Sequence, residues 1–122
     1  MTTKRQLEDL IKNGKKWKRF VVNHGWCQKT AKKGKSYCAW GGLEDTFGLL
    51  YQNDLKNRKV RKKRKDCDAV YNSFTDFYSL SPWAQYDLVR YNDKKGMTKK
   101  KFVADLDKWL VSLKKDLKEK RK

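Results

Sequence analysis

Between positions 56 and 65 the chain reads Lys-Asn-Arg-Lys-Val-Arg-Lys-Lys-Arg-Lys, eight cations in ten residues. Side chains of this type at this density are suited to neutralising phosphates. Arg58, Arg61 and Arg64 each present a planar fork that matches a pair of oxygens, while Lys56, Lys59, Lys62, Lys63 and Lys65 act as compact point charges. Lys32, Lys33 and Lys35 surround a glycine in a second group, and further clusters stand at 15–19, 94–101 and 114–122. Because the cations run along the whole chain, contact with a nucleic-acid backbone is expected ahead of base reading. In a nucleated cell the stretch 59–65 also reads as an import signal. The competing reading is a solvated run that holds no ligand.

Aromatic side chains lie among these cations. Trp17, Tyr37 and Trp40 are the candidates for stacking on exposed bases, as in single-strand binders. Burial is the default role for such rings and competes with that assignment. His24, Cys27, Cys38 and Cys67 are of zinc-ligand type, and His24 and Cys27 have a knuckle spacing. The second half of such a site lacks a paired knuckle, since 28 residues and the basic run separate Cys38 from Cys67. No metal or other cofactor is expected, and the cysteines read as small buried hydrophobes. A thiol nucleophile would need Cys27 or Cys38 beside His24, oriented by Asn92 or Asp93. Spacing alone does not bring them together. Asp66, Asp68 and Asp76 fall on what reads as the outer face of a helix, where carboxylates offset nearby lysines. The expectation is therefore a non-catalytic protein.

Composition sets the frame. The 122 residues suffice for one domain, 1–122. Thirty-two Lys and Arg against 14 Asp and Glu give a formal charge of +18, a self-repulsion that an anionic partner relieves. Apolar residues are only 38%, but five Trp, six Tyr and five Phe supply the area for a core. No apolar stretch approaches the ~18 residues of a membrane span, so no membrane partner is expected. The first residues lack the apolar centre of a secretory signal. An odd number of cysteines argues against a disulfide framework. The expected setting is cytoplasmic, or nuclear or within a virion if the protein is viral.

These residues need elements to position them. Thr3 caps a short helix over 3–13 that Asn13-Gly14 ends, and a further turn or two follows over 16–22. Trp26-Cys27-Gln28 and Tyr37-Cys38-Ala39-Trp40 flank a glycine turn and read as a small hairpin over 26–40. Gly41-Gly42 allows a change of direction before a helix over 43–52. The run 56–65 is a basic loop or a segment that orders only on a polyanion. Cys67, Val70, Tyr71, Phe74, Phe77 and Tyr78 share one helical face. Ser81-Pro82 opens a helix to about Asn92. Thr98 opens the last one, with Phe102, Leu106, Trp109, Leu110, Leu113 and Leu117 in one stripe, and 118–122 is a frayed tail. The fold class is α+β and mostly helical: an N-terminal helix, a small β-hairpin, then three or four packed helices.

Three segments carry a resemblance: Gly25-Trp26-Cys27-Gln28, then Cys38-Ala39-Trp40-Gly41-Gly42-Leu43, then Tyr91-Asn92-Asp93 ahead of the last helix. In this order they resemble a family of small bacterial and phage proteins of unassigned activity. Its members pair a Gly-Trp-Cys/Thr-Gln segment with Cys-Ala/Leu-x-Gly-Ala-Leu and a later Trp-Asn-Asp. Here Gly42 replaces the usual alanine and Tyr91 the usual tryptophan. The resemblance implies a mixed helix-and-hairpin domain and an accessory protein of viral or mobile-element origin; it implies no chemistry. The expected function is non-catalytic binding of DNA or RNA through phosphates. The alternatives are an interaction or inhibitor module that docks on an acidic protein surface, and a ribosome- or virion-associated basic protein.

Overall fold

The computed structural model describes residues 3–28, 32–34, 36–49, 56–78, 91–93 and 95–120, with the side chains of 32 and 33 excepted. Thr3 opens α1 (Lys4–Asn23) with a reciprocal cap. Its hydroxyl accepts from the Gln6 amide at 3.1 Å, and its own amide donates to Gln6 Oε1 at 2.8 Å. This satisfies two of the amides that a helix start leaves without partners. Leu7, Ile11, Trp17 and Val21 are buried along one face.

α1 is one helix of 20 residues, not the two pieces that Asn13-Gly14 suggests. A Cβ on Gly14 would stand 2.7 Å from Trp109 and 2.8 Å from Leu110. The glycine is there so that the last helix, α4 (Lys99–Lys120), can lie against α1. α1 packs most extensively against α4.

After α1 come three two-residue strands: β1 (Gly25–Trp26), β2 (Lys32–Lys33) and β3 (Ser36–Tyr37). They form a sheet in the order β1-β3-β2. The hairpin is narrower than expected. Its arms are β2 and β3, paired antiparallel with Lys33 opposite Ser36, while β1 runs parallel to β3 with Trp26 opposite Tyr37. Cys38 then caps α2 (Ala39–Thr46), its sulfur accepting from the Gly41 amide at 3.2 Å. α2 therefore begins earlier than predicted, and Gly41 and Gly42 are buried inside it instead of marking a bend.

α3 (Arg58–Phe77) starts at Asn57, whose side chain accepts from the amides of Lys59 and Val60. It runs without interruption into the face that buries Cys67, Val70, Tyr71 and Phe74. The basic run is thus helical, not a loop. The cap and the continuing apolar stripe, with half-buried Val60 packed on the core, account for this. The helix expected over 82–92 lies mostly outside the described residues, and its end is seen as a helical turn at 91–93. The Thr98 hydroxyl accepts from the Lys101 amide and opens α4, which continues through Lys120, past the start of the expected frayed tail.

The core is aromatic. Trp17 is fully buried, with edge-on contacts to Phe74, Phe102 and Trp109 at centroid distances of 5.2, 5.6 and 6.1 Å. Edge-to-face pairs of this kind add about 0.5–1.5 kcal/mol each beyond the area they bury. The architecture is α+β and mostly helical, with an N-terminal helix, a small sheet and packed helices following.

Candidate nucleic-acid interface

Two features position the cations of α3. Its buried stripe passes through Val60, Cys67, Tyr71 and Phe74, and Arg64 on the same side forms an ion pair with Glu44 of α2 at 2.9 Å. At 100° per residue the rest of the first two turns, from Arg61 round to Lys63, covers an arc of roughly 200°. Arg58, Lys59, Arg61, Lys62, Lys63 and Lys65 are all exposed on it, and Lys56 is exposed just ahead of the helix. Among the described residues there are two ion pairs, Arg64–Glu44 and Lys18–Asp107 at 2.5 Å. The α3 arc therefore keeps almost all of its charge for solution.

The helix end sharpens this. The first turn of α3 contains no acidic residue, so cations surround the positive pole of the helix dipole. An anion placed there offsets both the side chains and the pole.

A second cationic surface lies along the α1–α4 contact. Lys15, Lys18 and Arg19 of α1 line a cleft with Lys114 and Asp107 of α4, the last paired with Lys18, and the exposed Val22 and Val111 also line it. The charge is not uniform, because a third groove between α1, α3 and the end of α4 gathers Asp9, Asp66, Asp76, Asp116 and Glu119 beside Lys62, Lys65 and Lys120.

Of the other cations singled out by sequence, Lys32 and Lys33 form β2 with side chains outside the described set, and Lys35 also lies outside it. Burial changes the picture for the stacking candidates. Trp17 has no exposed face, Tyr37 is 8% exposed, and half-buried Trp40 sets its ring edge-on to Tyr71 at 5.2 Å. Core packing takes Trp17 and Tyr37 out of any stacking role.

The metal-ligand types do not converge. Among the described residues no group of three or more His, Cys, Asp or Glu side chains is placed to hold an ion. His24 stacks on Phe20 at 3.9 Å, with Nδ1 hydrogen-bonded to the Phe20 carbonyl. Cys67 is fully buried within α3, and burial pushes its thiol up to about 12.

Asn92, which the sequence marks as an orienting group for a thiol and as part of the third motif segment, is the centre of a polar cluster. It is 1% exposed. Its Oδ1 accepts from Trp26 Nε1 at 2.8 Å and from the Ala39 amide at 2.7 Å. Its Nδ2 donates to the Cys27 carbonyl at 2.9 Å and to Asp93 Oδ1 at 3.1 Å. Both hydrogens and both lone pairs of the amide are used, which fixes its orientation. Gln28 Nε2 also donates to the Asn92 carbonyl at 3.0 Å. One side chain thus joins the segment at 25–28, the start of α2 and the turn at 91–93. Next to it, the Tyr91 hydroxyl donates to Asp105 Oδ2 and the Tyr78 hydroxyl to the Asp105 carbonyl. Burial, and then the Asp105 carboxylate, raise both phenols above their ordinary range.

No family model, curated protein or solved structure matches the chain. No helix among the described residues is long and apolar enough to cross a membrane.

Proposed function

We propose that the protein binds nucleic acid without catalysis, chiefly through phosphates, with the first two turns of α3 as the main contact and the α1–α4 cleft as a second. The observation that carries this reading is the exposed arc from Arg58 to Lys65, six cations around the start of a helix with no acidic residue in its first turn. Neutralising phosphates there releases condensed counterions, and that release drives the association. With Trp17 and Tyr37 committed to the core, duplex backbone is favoured over stacked single strands. A helix of about 10–12 Å diameter carrying cations on three sides suits the major groove, roughly 12 Å wide, with phosphates on both walls. Kinship with the small bacterial and phage proteins belongs to the same proposal. Its support is that all three motif segments meet at Asn92, which gives that pattern a structural reason.

Fluorescence-anisotropy titration of nuclease-treated protein against single- and double-stranded DNA and RNA, across a salt series, tests the reading. Tight binding that falls steeply with salt is expected. The Lys59→Ala, Lys62→Ala, Lys63→Ala variant should make the negative slope of log affinity on log salt shallower by about 2–3, near 0.9 per lost phosphate contact on duplex. Arg64 is left in place because its ion pair with Glu44 serves the fold. Negligible binding at low salt overturns the proposal and points to an acidic protein partner. An unchanged slope in the variant moves the contact to the α1–α4 cleft.

A further inference from the structure

Cys27 and Cys38 directly follow the last paired residues of β1 and β3, Trp26 and Tyr37. The Cys27 amide donates to the Tyr37 carbonyl at 3.1 Å, a bond that belongs to the Trp26–Tyr37 pair and holds Cys27 beside β3. Side chains alternate along strands, so Cys27 and Cys38 share a face with Gly25 and Ser36. On that face the strands run unusually close: a Cβ on Gly25 would stand 3.1 Å from Ser36 Cβ. Adjacent strands lie about 4.8 Å apart, inside the roughly 4.4–6.8 Å between Cα atoms that a disulfide asks for.

Asn92 holds the arrangement from behind. Its amide grips the Cys27 carbonyl on one side and the Ala39 amide, next to Cys38, on the other. The two thiols also differ in access. Cys27 is half-buried and can be reached from solution, whereas Cys38 is 5% exposed. Burial pushes the Cys38 thiol up, and the amides of Gly41 and Trp40 pull it part of the way back. A negative charge on Cys27 raises it further.

We propose that Cys27 and Cys38 form a reversible dithiol–disulfide couple, closed by exchange with a small disulfide such as oxidised glutathione. The Cys27 thiolate attacks one sulfur of the incoming disulfide. The S–S bond breaks, and the departing thiolate takes up the proton that Cys27 released. Cys38, giving up its own proton, then attacks the Cys27 sulfur of the mixed disulfide and expels the second glutathione as a thiol. Two protein thiols are oxidised and one small disulfide is reduced to two thiols. Cys67, fully buried within α3, stays out of the exchange.

The test equilibrates the full chain in glutathione buffers of increasing oxidation, quenches with acid, alkylates, and reads intact mass and peptide maps. The expected product is lighter by two hydrogen atoms, protects two cysteines from alkylation and yields a Cys27–Cys38 linked peptide. Cys67→Ser should leave this product unchanged. In Cys38→Ser a single glutathione adduct should accumulate on Cys27, and in Cys27→Ser no adduct should form in the folded protein. Folding of each variant is checked by circular dichroism, and the wild-type measurement stands without them. The proposal is overturned if wild type keeps all three thiols where a urea-unfolded control has oxidised. A bond to Cys67 or to a second chain overturns it equally.

Discussion

Asn92 concentrates more of the fold's polar interactions than any single position suggested by residue type. Replacing it with alanine would leave the Trp26 indole N–H, the Ala39 amide and the Cys27 carbonyl without their partner. At about 1–3 kcal/mol for each buried group left unsatisfied, Asn92→Ala is expected to cost on the order of 3 kcal/mol or more in urea denaturation. Asn92→Asp keeps the acceptor oxygen but loses the amide donor. Its new carboxyl, buried beside Asp93, favours the protonated form, so its folded pKa lies above the unfolded one. Stability from that group is present at acid pH and lost as pH rises, and the deficit against wild type should therefore shrink toward pH about 4. The sequence marks Asn92 by its place in a three-part pattern and as a thiol-orienting candidate, but not by its contacts, because nothing local says that an asparagine 66 residues from Trp26 will meet it. Trp17 is the converse case: its spacing with Phe20 and Val21 already reads as a helix face, and neighbouring lysines made it look accessible. They point outward from the same helix while the indole points in.

At the level of elements, the stripes on α1, α3 and α4 are legible as apolar residues three and four apart. What local pattern misassigns are the breaks between them. Asn13-Gly14 has the composition of a helix stop, yet Gly14 serves the approach of α4, a requirement set by a helix more than 80 residues later. Alanine ordinarily improves a helix interior by about 1 kcal/mol over glycine. Here its methyl would collide with Trp109 and Leu110, and such overpacking typically costs 1–3 kcal/mol. Gly14→Ala is accordingly expected to lower stability, with the Trp109 side chain displaced in fluorescence or NMR spectra; a gain would mean that α4 yields easily. The basic run at the head of α3 was open to a loop reading for the same reason. Its charge density opposes a helix locally, and the Asn57 cap and the core contact of Val60 prevail. Nor does residue type reveal which strand β3 takes as its parallel neighbour, since that pairing is fixed by where α1 ends.

For the whole molecule, 32 cations against 14 carboxylates leave a repulsive field that two ion pairs among the described residues barely relieve. Salt should therefore stabilise the fold. As the screening length contracts from about 30 Å at 0.01 M to about 8 Å at 0.15 M, the urea midpoint is expected to rise, and short polyanions should raise it further at equal ionic strength. A flat response would mean that the cations lie too far apart to act on one another. The charge itself is fully legible in composition; its separation into a basic α3 arc and a more acidic groove is not, because that depends on how three helices are turned. The Asn92 junction and the α1–α4 contact also bear on how the protein is made. Ribosomes deliver the chain from its amino end, yet α1 finds its principal neighbour only in the last helix, and the strand and α2 segments are tied down by a side chain delivered late. A nascent chain halted before Asn92 must therefore hold the apolar face of α1 and the indole of Trp26 without their final partners, so consolidation waits for residues 92–120 and products interrupted before them become natural clients for chaperones and proteases.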